Sequence, residues 1–132
     1  MEEAITDLLL GASGLTALVG QRITWATRPQ AHALPAVVLH KIDGAPVYSD
    51  EGESGLFSAR IQIDAWATTY AAARAVSREI MAVLSGYGPD SPATGIEFQG
   101  VFAEAEQDSF EEATGGVRLY RVRGDFIIWS AT

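Results

Sequence analysis

Leu56-Phe57-Ser58-Ala59-Arg60-Ile61-Gln62-Ile63-Asp64-Ala65-Trp66, running on through Thr68-Thr69-Tyr70 to Gly86, decides the fold of this chain. Up to Trp66 the side chains alternate. Phe57, Ala59, Ile61, Ile63 and Ala65 share one face, and Ser58, Arg60, Gln62 and Asp64 share the other. Period two with one polar face predicts a strand packed on one side only, as in antiparallel sheets. At Thr68 or Thr69 the period changes. Tyr70, Ala73, Val76, Ile80, Val83 and Leu84 then recur at helical spacing. A threonine caps such a helix at its start, and Gly86 supplies the left-handed residue that ends it. The strand is about 35 Å long and the helix about 24 Å, so one lies across the other, apolar face to apolar face.

Working outward, Glu2–Leu10 reads as a short helix with its acids in the first turn, where the helix dipole favours them. The run Gly11–Gly14 breaks it, and Ser13 is placed to cap a further turn over Leu15–Val19. Ile23 and Trp25 begin a short extended piece, and Thr27–Leu34 is a loop. Ala36–Asp43 is a strand whose contiguous Val37-Val38-Leu39 predicts cover on both faces, from this chain or a neighbouring subunit. Gly44–Gly55 is then a loop too long for a tight hairpin, carrying Tyr48, Asp50, Glu51 and Glu53, and loops of that length are commonly functional.

Beyond the central helix, Tyr87–Gly95 is a surface connection with two prolines. Ile96–Glu106 is a strand whose apolar parity slips, which one extra residue at Gln99-Gly100 would repair as a bulge. Asp108–Gly116 reads as an acid-rich turn, and Val117–Ser130 as a long last strand. Gly124, midway along it, marks a bend or a close backbone approach. The fold class is α+β: an antiparallel or mixed sheet of four to five strands with an N-terminal helix and one long helix on one face.

At 132 residues the chain is expected to be one domain spanning 1–132. No apolar run approaches the roughly 20 residues of a membrane span, and the acidic start is the wrong charge for a secretory signal. Zero cysteines exclude disulfides and thiolate metal sites and fit a reducing cytoplasm. The net charge of −8, with nine scattered basic residues, argues against a protein that grips phosphates.

A search for chemistry returns nothing catalytic. His32 and His40 are the only histidines and lie at no metal-binding spacing, so both read as structural or solvated. Gly11-Ala12-Ser13-Gly14 is not a nucleophile elbow, and no phosphate-cradling glycine motif occurs. The acids Glu104, Glu106, Asp108, Glu111 and Glu112 match no calcium loop and read as a solvated edge that resists aggregation. Expected catalytic, metal and cofactor residues are therefore none, and the chain is not expected to be an enzyme. Trp66 and Trp129 fall by parity on the polar faces of their strands, Trp129 with Arg121 and Arg123. Together with Trp25, the three tryptophans are residues that folding could gather. Aromatic and arginine side chains on a supposedly wet face are what interface centres favour.

These segments together resemble the small tail-completion, or tail-terminator, proteins of long-tailed phages and gene transfer agents. The resemblance rests on Leu15–Ile23, Ala33–Val38, Ala59–Arg74 and Tyr120–Trp129 in that order and spacing, none of which is a catalytic signature. It implies a structural virion protein, made in the bacterial cytoplasm, that forms a homo-oligomeric ring, commonly a hexamer. Such a ring sits on the head-proximal end of the tail tube, stops its polymerisation and presents a surface to the neck stopper. The implied partners are further copies, the major tail tube protein and the head–tail stopper, with DNA passing through the lumen unbound and no membrane. The candidate interface residues are Tyr48, Asp50, Glu51, Glu53, Trp66, Arg121, Arg123 and Trp129. The alternatives are another neck component, such as a head-completion or stopper protein, or a small bacterial α+β ligand-binding protein or enzyme.

Overall fold

The computed structural model describes residues 2–27, 33–50, 52–88, 90–93, 96–112 and 116–131. Its helices are α1 (Glu2–Leu10), α2 (Ser13–Val19) and α3 (Tyr70–Leu84). Its strands are β1 (Ile23–Trp25), β2 (Ala36–Ser49), β3 (Gly52–Ala67), β4 (Asp90–Ala93), β5 (Ile96–Glu112) and β6 (Arg118–Ala131). The strands form one mixed sheet in the order β1-β2-β3-β6-β5-β4, with β1 parallel to β2 and every other pair antiparallel. Four long strands make its body, and the short β1 and β4 flank it.

The period switch reads out as expected. Ala59, Ile61, Ile63, Ala65 and Ala67 of β3 are fully buried, and so are Ala73, Val76, Ile80 and Leu84 of α3. Thr69 caps α3 by accepting from the Ala72 N–H at 3.2 Å, and Gly86 takes φ +75° just past the helix end. From the other strands, Val37, Leu39, Phe98, Val101, Val122, Phe126 and Ile128 join the same core. Ile5, Leu9, Leu15 and Val19 close it from α1 and α2, so all three helices cover one face of the sheet. Trp25 lies on that side too, its indole N–H donating to Thr6 Oγ1 at 2.8 Å.

The contiguous apolar run of β2 is covered on both faces, with Ala36, Val37, Val38 and Leu39 all 2% exposed or less. That cover comes from this chain's own side chains. The bulge near Gln99 is also present, as a register shift between Phe98 and Gly100. Gly124 is a close approach: a Cβ there would lie 3.0 Å from the Phe126 ring, which packs over the bare backbone.

Four local expectations are corrected. Ser13 is the first residue of α2 and not its cap, because the Leu15 and Thr16 N–H groups both bond to the Ala12 carbonyl. The segment Gly44–Gly55 is not a long loop. β2 and β3 stay paired out to Ser49↔Gly52. Pro46 is tolerated because β1 covers only Val37–Leu39 of β2, and a register shift separates Pro46 from Tyr48. The acid-rich segment from Asp108 is not a turn either, since β5 and β6 pair as far as Glu112↔Arg118. Within Tyr87–Gly95, Asp90–Ala93 pairs with the start of β5.

Candidate assembly interface

Among the described residues, no helix lies on the opposite face of the sheet. Register places Trp66 opposite Arg121, Asp64 opposite Arg123, Gln62 opposite Asp125 and Ser58 opposite Trp129, all pointing away from the helices. The face has three zones. At one end the Arg121 guanidinium stacks 5.2 Å from the centre of the Trp66 ring. In the middle, Asp64 is almost fully buried, with a side chain 3% exposed. Around it stand Arg123 Nε at 3.2 Å, His40 Nε2 at 3.7 Å and Arg121 Nη1 at 3.9 Å. At the other end is Trp129, opposite Gly100, and Phe102 leans over that glycine closely enough that a Cβ there would touch its ring.

Asp64 buries itself on an open face because long side chains fold across it. The arginines and His40 remain partly exposed, so they shield the carboxylate while keeping their own contact with water. Its charge is then matched by charge-assisted hydrogen bonding instead of hydration. Farther along, Arg60 reaches across β6 to Glu104 at 2.9 Å, and that contact raises the Arg60 pKa above its ordinary value. In a chain of net charge −8, this face is a nearly balanced mosaic of both signs with aromatic groups at its ends.

Two hairpins extend the face at opposite ends. The last β3–β6 pair on one side is Leu56↔Ala131, and the β2–β3 hairpin continues past it to its tip. On the other side the last pair is Ala67↔Tyr120, and the β5–β6 turn lies beyond it. Eleven residue steps along β3 separate these ends, about 36 Å.

The candidate residues are thus not one cluster. Tyr48 and Asp50 sit exposed on the β2–β3 tip, with Tyr48 68% exposed. The backbone of Glu53 pairs with Tyr48, and Glu51 lies outside the described residues, as does His32. Trp66, Arg121 and Arg123 come together at one end of the open face. Trp129 stands at the other end, about 26 Å away. Trp25 is on the helix side, so the tryptophans do not gather. Sequence reading missed Phe102 and Phe110, 57% and 58% exposed. Phe102 was legible, since its parity opposes the buried Val101.

An open hollow beside the start of α1 is lined by Glu2, Trp25, Leu39, His40 and Lys41, but Glu2 and Lys41 pair with each other at 3.4 Å. Among the described residues no group of three His, Asp or Glu side chains is placed to hold a metal ion, and no helix is long and apolar enough to cross a membrane.

The sequence matches the model of the family described as "Tail completion protein gp17" over residues 3–131. The chain belongs to the tail completion protein family. It is accordingly a structural tail protein. None of the curated proteins matches it. Among solved structures it is similar to a chain of the "Virion of native gene transfer agent (GTA) particle", with a TM-score of 0.74 and 20% sequence identity. That likeness covers 100% of this chain and 95% of the other, and at such identity it is a likeness of fold.

Proposed function

We propose that this protein is a tail terminator. Copies of it form a ring, hexameric by the family resemblance, on the head-proximal end of the tail tube; the ring ends tube growth and receives the neck. The observation that carries this reading is the position of the two hairpins, at opposite ends of one sheet. A subunit that joins two bodies needs contact surfaces at both its ends, and a sheet with few hinges keeps them at a fixed separation. The helix-free face supplies the lateral surface, with aromatic groups to bury and charges of both signs to set register. An acidic protein also suits a passage for DNA, because like charge lowers sticking.

The test is tube polymerisation in vitro, with the major tail tube protein and increasing amounts of this chain. The reading predicts shorter tubes that bear density at one end only. Tubes of unaltered length with bare ends contradict it. Capture of the portal-side neck protein in place of tube would make the chain another neck component.

A further inference from the structure

We propose that the outer edge of β5, over Ala105–Glu112, seats a strand lent by another protein, and that the lent segment is extended and basic. The proposal deepens the assembly reading and rests on it for the existence of a partner. β4 covers only the start of β5, through Asp90↔Phe98 and Ala93↔Ile96. From Ala105↔Asp125 to Glu112↔Arg118 the register with β6 is unbroken, and among the described residues no strand lies on the other side. Such an edge presents a row of backbone donors and acceptors, and proteins either blunt it or use it.

Phenylalanine argues for use. The chain has five, of which Phe98 and Phe126 are buried and Phe57 packs partly buried against the core. Phe102 and Phe110, both more than half exposed, stand on β5. An edge kept only to repel neighbours would carry charge without large apolar groups. Phe110 is held in place by the Arg118 guanidinium 4.6 Å from its ring centre and by Tyr120.

Charge gives the chemistry of the occupant. From Glu104 onward β5 bears five acids: Glu104, Glu106, Asp108, Glu111 and Glu112. Arg60, Arg74 and Arg118 pair with members of this set from β3, α3 and β6, on the inner side. Five acids against three bases leave the edge negative, and an incoming strand meets the acids first. A basic strand is attracted, whereas an acidic one is repelled.

A second copy does not fit. Among the described residues, the open edges outside β5 are β1 and β4, of three and four residues, the four residues Gly52–Gly55 of β3 ahead of its pairing with β6, and the outer part of β2. That part of β2 carries Asp43 and Pro46, and register shifts interrupt it at Lys41/Asp43 and Pro46/Tyr48. Pro46 has no N–H to donate, and Asp43 would face like charge.

Amide hydrogen exchange tests this on the full chain, free and mixed with the purified major tail tube protein or, separately, with the neck stopper. The expected result is at least about tenfold slower exchange across 105–112 in one of the two complexes. Both F110S and E111K should weaken that complex, as should about 0.5 M NaCl, with the free chain's own exchange unchanged. A complex whose 105–112 amides exchange as in the free chain overturns the edge proposal and leaves the terminator reading standing. Failure to bind either protein overturns both. Protection that appears in the chain alone and grows with its concentration assigns the edge to a second copy and overturns the basic strand.

Discussion

Arg123 lies opposite Asp64 in the β3–β6 ladder, its Nε 3.2 Å from a carboxylate oxygen whose side chain is only 3% exposed, on the face of the sheet that has no helix. A buried carboxylate on a nominally wet surface ties two central strands together through their side chains. Removing one partner of such a pair costs more than the pair itself contributes, since the remaining charge stays desolvated. Arg123→Ala should therefore destabilise the chain by about 3 kcal/mol. Asp64→Asn should cost less, about 2 kcal/mol, because the arginines can turn to water. Chemical denaturation of both variants and the double mutant measures the coupling; additive costs would mean that the two side chains do not interact.

Gly124 is fully covered and faces the Phe126 ring, with 3.0 Å between the ring and the place of a Cβ. Phe126 is itself buried in the core and has no room to withdraw. Gly124→Ala is expected to cost about 1–3 kcal/mol as an overpacking change, despite alanine's better strand propensity. A variant as stable as the parent in thermal unfolding would show that the ring is free to shift.

The Glu2 carboxyl is held below the usual carboxylate range, chiefly by a hydrogen bond from its own backbone N–H at the start of α1, with Lys41 adding to the effect. A depressed carboxyl contributes stability above its unfolded-state pKa and loses it as pH falls through the folded value. Glu2→Gln should cost no more than about 0.5 kcal/mol near neutrality, since the pair is half exposed. As pH falls below about 4 the difference from the parent should shrink, vanishing once the folded-state carboxyl is protonated. Denaturation midpoints across that range check the sign, and a difference that widens on acidification would refute it.

Much of this was legible in the sequence, and the part that was not has a physical cause. The strand–cap–helix of Leu56–Gly86 could be read because a core lies beneath it and imprints its period on the side chains. The described side chains of 42–55, at the end of the β2–β3 hairpin, and those of β5 from Ala103 to Glu112 are mostly exposed. With nothing to bury, no alternation is imposed on them, and acids with glycine or proline look like loop. The parity of Trp66, Arg121, Arg123 and Trp129 gave their face correctly. It could not give the burial of Asp64, which depends on how long side chains from β2 and β6 fold across β3.

Tyr48 projects from the β2–β3 tip and is 68% exposed, so the folded monomer has little use for its ring. Tyr48→Ser should change the stability of the monomer by less than about 0.5 kcal/mol while impairing assembly. Denaturation and assembly assays on the same preparation separate the two effects; a loss of both would make Tyr48 a folding residue.

The most direct test of the central claim is the mass of the purified chain, alone and with the major tail tube protein, by native mass spectrometry alongside electron microscopy. The account predicts a closed ring of identical subunits in at least one of these conditions, and its loss when Trp66 and Trp129 are both replaced by serine. A monomer under both conditions, with no annular particles on the grid, would contradict it.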